Sequence, residues 1–319
     1  MKKKNILITG GLGLLGFNLF NYLNEKKYNV FILDKNSNVY KKLKLQNNQK
    51  IIIGNYLDFN LIKKIIKKKK INIIFHLGAI TQVLEGIKYP RETFENNIQG
   101  TVNILEMVRK INKNIIIIFS STDKAYGELN SKGYKENDFL KAKFPYDLSK
   151  SCADLICQSY SKFYQLKIGI IRCGNIFGKF DFNDNRIIPE TIKAILKKKN
   201  IALRSSGNLK RDYLYVNDAA EAYFLLMKKI IRKKDGLHIY NVGSKYNFTV
   251  KEIVNKIIKF SLSNKTKVII KNNSKFEIKS QKLNYSKIIK ELKWKQRYSF
   301  NYSINETFNW YKNNLKLFH

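Results

Sequence analysis

The chain has 319 residues, 44% of them hydrophobic, which is enough for one large α/β domain or for such a domain carrying a smaller lobe. Its formal charge of +37 invites a nucleic-acid reading, but the lysines are spread along the chain and crowd predicted helix surfaces (Lys67 to Lys70, Lys197 to Lys199, Lys228 to Lys234). Ile and Asn are overused alongside them, so compositional bias explains the charge and no specific nucleic-acid partner is expected. No run of eighteen apolar residues exists, and the start, MKKKNILITGG, enters a strand and a glycine turn instead of a signal-peptide core; no membrane partner and a cytoplasmic location are expected. Cys152, Cys157 and Cys173 form neither a CxxC pair nor an even disulfide set, and His76, His238 and His319 are scattered, so reduced thiols and no metal site are expected.

In chain order, NILIT (Asn5 to Thr9) reads as a strand running into Gly10-Gly11-Leu12-Gly13-Leu14-Leu15-Gly16 and then an amphipathic helix from Phe17 to Lys26. Strand, glycine turn and helix is the context that makes a GxGxxG match a dinucleotide site, with backbone N–H groups approaching a pyrophosphate at the helix start. Gly10, Gly13, Leu14, Leu15 and Gly16 are the candidate residues. NVFILD then ends in Asp34, eighteen residues after Gly16, where a carboxylate accepts ribose hydroxyls and repels a 2′-phosphate; NAD is expected over NADP, with Lys35 the opposing feature. Strands at Ile51 to Ile53 and Ile73 to Leu77 end in segments that give an adenine pocket its lining, Asn55, Tyr56, Leu77 and Ala79. His76, inside an apolar strand, reads as a satisfied core histidine. A long helix is expected from about Pro90 to Lys110, with Asn97 either a packing residue or a polar group turned to the site.

The run IIIIF (Ile115 to Phe119) reads as a buried parallel strand, so the polar stretch SSTDKAYG after it lies at a carboxyl edge, where open α/β sheets bind ligands. Tyr146 and Lys150, four apart at a helix start, share one helical face. A cation held beside the phenol favours phenolate and lowers the Tyr146 pKa, making it a base for a hydroxyl proton, with Thr122 bonding the same oxygen. Further on, a strand at Lys167 to Arg172 ends in CGNIFG, DFNDNRIIPETI leads into a helix, and Ile201 to Arg204 forms a short strand. RDYLYVNDAAEAYFLLMKK reads as a turn and a capped helix, followed by a strand at His238 to Gly243. A helix from about Thr249, a strand near Lys267 to Lys271, and helices around Ser286 to Leu292 and Ser303 to Asn314 complete the chain.

Taken in order, ITGGLGLLG, the LD closing the second strand, HLGA, NNIQGT, SSTDKAYG, YDLSK, RCGNIFG, RDYLYVNDAAEAY and SKIIKELKW resemble the extended short-chain dehydrogenase/reductases, the nucleotide-sugar epimerase/dehydratase family. The expected fold is α/β: a Rossmann-type doubly wound parallel sheet with a smaller, interleaved C-terminal α/β substrate lobe. Residues 1–174, joined by about 211–243, would form the NAD-binding domain, and 175–210 with 244–319 the nucleotide-sugar lobe. The resemblance implies a retained NAD, an oxidoreductive trio of Thr122, Tyr146 and Lys150, cofactor contacts from Tyr146 and Lys150 together with Asn97, and a homodimer. It further implies diphosphate contacts from Asn175 and Arg211, with Arg186 a further candidate. Asp123-Lys124 is similar to the pair of CDP-glucose 4,6-dehydratases, which implies Asp123 as acid and Lys124 as C5 base in a 4,6-dehydration. RDYLYV departs from those enzymes, so base and sugar stay open. A 4-epimerase or reductase of the same family is the alternative, and a non-catalytic basic scaffold is opposed by the intact trio.

Overall fold

The computed structural model describes residues 4–45, 48–128, 133–233, 236–262, 265–272 and 280–318; Lys234 and His319, used in the charge and metal readings, lie outside them. Short β-branched, apolar runs form the strands β1 (Asn5–Thr9), β2 (Asn29–Asp34), β3 (Ile51–Ile53), β4 (Ile73–His76), β5 (Ile116–Thr122) and β6 (Lys167–Cys173). β7 (Asn175–Phe177), β8 (Ile201–Leu203), β9 (Lys210–Tyr215), β10 (Leu237–Val242), β11 (Asn247–Thr249) and β12 (Val268–Ile270) follow. The main sheet has the order β10-β6-β5-β4-β1-β2-β3 and is parallel throughout.

Alternate strand residues go to opposite faces. Ile6, Ile8, Ile32, Phe75 and Ile118 pack with the helices Leu14–Glu25 and Val216–Lys233. Leu7, Leu33, Ile74, Ile117 and Phe119 pack with Phe59–Lys68, Gly100–Ile111 and Pro145–Tyr164 on the other side. Burial on both faces is why these strands read as continuous apolar runs. The strand order reverses between β1 and β4, which opens a crevice at their carboxyl ends. A separate core formed by the helices Ile187–Leu196, Val250–Phe260 and Phe300–Asn313 supports the smaller lobe, with sheets β11-β9-β7 and β12-β8. The doubly wound sheet with an interleaved lobe is the architecture that the sequence predicts.

Two expectations need correction. Residues 211–215, read as a turn and assigned to the first domain, form most of β9, the centre of the three-stranded sheet; the helix Val216–Lys233 then leads back to the main sheet at β10. The strand was hidden because its first positions are a buried Arg211 and a buried Asp212, charged residues that imitate a turn. The helix expected over Pro90 to Lys110 is divided: Pro90–Phe94 is α, Glu95–Gln99 is a π-helical turn, and Gly100–Ile111 is α again.

Candidate active site

A cavity of about 980 Å³ runs from the glycine turn, past the ends of β4 and β5, into the smaller lobe. At its first end Gly10 adopts φ +68°, and a Cβ there would stand 2.6 Å from the Cα of Gly78 at the end of β4. Gly10, Gly13, Leu14, Leu15 and Gly16 all line the cavity, and Gly13 caps the Leu14–Glu25 helix with no side-chain bond to its first amides. The Asp34 carboxylate is built into this turn, accepting from Leu12 N at 2.9 Å and from Asn36 N at 2.8 Å. Lys35 also lines the cavity, its amine donating to Asn96 Oδ1 at 3.3 Å. Tyr56, Leu77 and Ala79 complete the lining here.

Asn55 and Asn97 are not brought to the cavity. Asn55 Oδ1 accepts from Leu57 N at 3.0 Å, closing an Asx turn that spends the side chain locally. Asn97, 1% exposed, accepts from Ile80 N at 2.8 Å and donates to Ile80 O at 3.0 Å and Ser149 Oγ at 2.8 Å. It therefore ties the segment after β4 to the Tyr146 helix, and its neighbour Asn96 is the lining residue. His76 is buried between Thr9 Oγ1 at 2.7 Å and Thr101 Oγ1 at 3.2 Å; burial, helped by the Lys150 charge, lowers its pKa to about 3.

At the second end, Thr122 is the last residue of β5 and opens the 3₁₀ turn Asp123–Tyr126. Its hydroxyl accepts from Lys124 N at 3.3 Å and donates to Asp123 Oδ1 at 3.0 Å, and it shares a hydrogen bond with the Tyr146 phenol. A buried pair fixes this geometry: Arg172 on β6 makes a two-pronged bond to Asp154 of the Tyr146 helix, 2.9 Å on each side, and donates to Tyr126 Oη at 2.9 Å. Thr122, Lys124 and Tyr146 line the cavity. Asp123, 1% exposed, lies behind this wall: Oδ1 accepts from Thr122, and Oδ2 is buried with no partner among the described residues.

Lys150 also departs from expectation. It shares the helical face of Tyr146, but its amine lies 4.2 Å from the Phe119 ring centroid, and its charge bears on His76 and Cys157. Burial lowers its pKa to about 8. The Tyr146 pKa is raised, not lowered, first by burial and then by the Asp147 charge; the groups that lower it most are Thr122 and Arg186.

Asn175, Arg186 and Arg211 line the lobe side of the cavity. Arg186 is paired with Asp181 at 3.0 Å and Arg211 donates to Lys210 O at 2.8 Å. Among the lining residues that were not foreseen, three are polar groups beside the expected ones. Arg204 is a further cation, bonded to Glu190 at 3.2 Å. Asp147 is 2% exposed with Oδ1 unpartnered, and Gln281 is fully buried, with Oε1 accepting from Lys124 Nζ at 3.0 Å. Only Asp147 had a signal in sequence, an acid inside the Tyr-x-x-x-Lys segment.

With this geometry, the family model for the NAD dependent epimerase/dehydratase family matches residues 6–243. The chain belongs to that family. A dTDP-D-glucose 4,6-dehydratase of Dictyostelium discoideum is 32% identical over 98% of this chain and 82% of its own length. A dTDP-glucose 4,6-dehydratase of Bacillus anthracis, crystallised with NAD, superposes with a TM-score of 0.85 at 27% identity, covering 98% of both chains. The UDP-glucose 4-epimerase of Thermotoga maritima with UDP-glucose gives a TM-score of 0.89 at 25% identity, covering 98% of this chain and 99% of its own. The site fits the family's NAD, since Gly10, Gly13 and Gly16 carry no side chain at the start of the helix and Asp34 sets a carboxylate at the end of β2. Among the described residues, no helix is long and apolar enough to cross a membrane.

Proposed function

We propose that this member of the NAD-dependent epimerase/dehydratase family is a nucleotide-sugar 4,6-dehydratase. The observation that carries the reading is Lys124, an amine-bearing side chain on the cavity wall two residues after Thr122 and held at 3.0 Å by Gln281. Epimerisation at C4 needs no such group, because only the C4 hydrogen moves; dehydration needs a base at C5. Tyr146, aligned by Thr122, takes the C4 hydroxyl proton, and the resulting ketone acidifies C5–H. The Lys124 nitrogen is the group placed to take the C5 proton. Bound NAD, held by the glycine turn and Asp34, supplies the hydride acceptor and donor and a positive charge that favours the phenolate of Tyr146. Arg186, Arg204, Arg211 and Asn175 form a cationic, hydrogen-bonding wall suited to a diphosphate.

The test is incubation in D₂O with CDP-, dTDP-, GDP- and UDP-glucose. One of them should lose the mass of water and carry solvent deuterium at C5. A product of unchanged mass, inverted at C4 and unlabelled at C5, would make the protein a 4-epimerase, a reading that the likeness to the Thermotoga maritima enzyme favours. A homodimer is proposed through the Pro145–Tyr164 helix, on which Leu148, Leu155 and Phe163 are 37%, 51% and 72% exposed. Light scattering that gives a monomer mass would remove it. A cytoplasmic location is supported by three free cysteines, two of them buried.

A further inference from the structure

The two lobes that wall the cavity meet again at its rim. On one side stand Thr81 and Gln82, between β4 and the short helix Val83–Lys88; on the other stand Asn185 and Arg186, just before the helix Ile187–Leu196. All four line the cavity, and two hydrogen bonds cross between them. Asn185 Nδ2 donates to Gln82 Oε1 at 2.9 Å, and Arg186 Nη2 reaches Thr81 Oγ1 at 3.5 Å. Both bonds are exposed to solvent, so each contributes little and exchanges readily for water.

Each side of the rim is fixed to its own lobe. Asn97 clamps Ile80 through both N and O, and a Cβ on Gly86 would stand 3.1 Å from the Cβ of Tyr146, so the first side rests on the Tyr146 helix. On the second side Asn185 O accepts from Arg204 at 3.3 Å, Asp184 pairs with Lys193, and the buried Asp181 holds Arg186 Nη1 at 3.0 Å. Behind the rim the chain leaving β7 is anchored more firmly. Lys179 O accepts from Asn18 at 2.9 Å, Tyr311 Oη donates to Asp181 O, and the Phe180 ring packs on Phe17 and Trp310 with centroids 4.8 and 5.1 Å away. Phe180 has φ +65°, a left-handed conformation that is costly for an aromatic residue. A strained residue between a packed anchor and a weakly bonded rim is the place for a hinge.

We propose that this rim is a gate: the Gln82–Asn185 and Thr81–Arg186 bonds part each time a nucleotide-sugar enters or its product leaves, and Arg186 passes from Thr81 to the diphosphate as the gate recloses. The gate rests on the nucleotide-sugar reading above and is independent of which reaction follows. The handover follows from the donors. Asp181 occupies Nη1 and leaves Nη2 to Thr81 at the limit of hydrogen-bond length, whereas a diphosphate oxygen is a charged and stronger acceptor than a hydroxyl. Gln82 and Asn185 are neutral, so their bond reforms over the bound ligand. The rim thereby sets the rate of exchange, and the cationic wall beneath it sets the affinity.

The test mixes the NAD-loaded protein with CDP, dTDP, GDP and UDP and follows whichever binds by stopped-flow protein fluorescence. These diphosphates carry no sugar, which separates gating from chemistry. Q82A and N185A should raise the association and dissociation rates together, about threefold to tenfold, and leave Kd within about twofold, because the lost bond is present before and after binding. T81A should quicken association alone, about twofold, since its bond is already gone once the ligand holds Arg186. Q82C/N185C, made with C152S to remove a half-buried natural thiol and bridged by a two-carbon bis-methanethiosulfonate, should nearly stop exchange and recover it with dithiothreitol. Undiminished exchange through the bridged protein, or a Kd that rises in N185A with association unchanged, overturns the gate; faster release from T81A overturns the handover. If none of the four diphosphates binds, the nucleotide-sugar reading fails and the gate fails with it. If they bind and the rates follow this pattern while no glucose nucleotide loses water, the gate stands and only the dehydratase reading falls.

Discussion

The two ends of the cavity treat their polar atoms in opposite ways. At the glycine turn both oxygens of Asp34 are engaged by backbone amides, and Gly10 stands so close to Gly78 that an added Cβ would meet its Cα at 2.6 Å. Around Thr122, by contrast, lie Ser121 Oγ, Asp123 Oδ2, Asp147 Oδ1 and Gln281 Nε2, four of the six buried side-chain atoms without a partner among the described residues. The first end is a finished cradle, whose shape depends on small residues and satisfied bonds. The second holds donors and acceptors unspent at a cost to stability, which is what a site built to move protons requires.

That contrast can be broken most severely at Tyr146. Tyr146→Phe should lose about a thousandfold in turnover while retaining NAD, because the ring still packs but accepts no proton; substantial activity in a steady-state assay would remove the phenol from the chemistry. At the other end, Gly10→Ala should destabilise the fold by about 3 kcal/mol and abolish NAD binding, since the Cβ meets backbone and φ is positive. Denaturant melts and NAD titration measure both. Asp147→Asn should do the reverse of a normal core lesion. With its folded pKa raised to about 6, the carboxyl contributes stability that is present below its unfolded value near 3.8 and lost as pH rises through 6. Removing the charge should therefore stabilise the protein at pH 7 by on the order of 2 kcal/mol and change little at pH 4. Equal shifts at both pH values would contradict an ionisable Asp147. Smallest, Asp34→Asn should weaken NAD by about tenfold, roughly 1.4 kcal/mol, and narrow the preference over NADP, because the repelling charge is gone. Calorimetric titration with each cofactor decides it.

The cradle was legible in the sequence because every part of it is local. Strand, glycines, helix and Asp34 lie within thirty-four residues of the start, and their spacing has one simple geometric solution. At the proton-handling end only Thr122 and the Tyr146 helix could be read in this way. The four-residue spacing sets Lys150 on the face of Tyr146 but says nothing of where a four-carbon arm ends, and in the structure it ends over Phe119. Asp147 looked like an ordinary acid in the first turn of a helix, a position the helix dipole favours. Asn97 stayed open between packing and the site because its three bonds go to a backbone segment seventeen residues away and to Ser149, contacts without periodicity. Arg211 and Asp212 disguised a strand that the alternation of Tyr213 and Tyr215 would have revealed.

The hydrogen bond from Lys124 to Gln281 joins residues 157 apart, whereas the NAD-side bond from Leu12 to Asp34 spans 22. Loop closure on that scale makes the two halves of the cavity ripen on different clocks, since distant partners must wait for the chain between them to find its shape. During refolding, competence to hold the nucleotide should therefore precede competence to expel water. A bound-cofactor fluorescence signal and the return of C5 exchange, followed in the same refolding reaction, would separate in time if this is so and coincide if the protein assembles in one step.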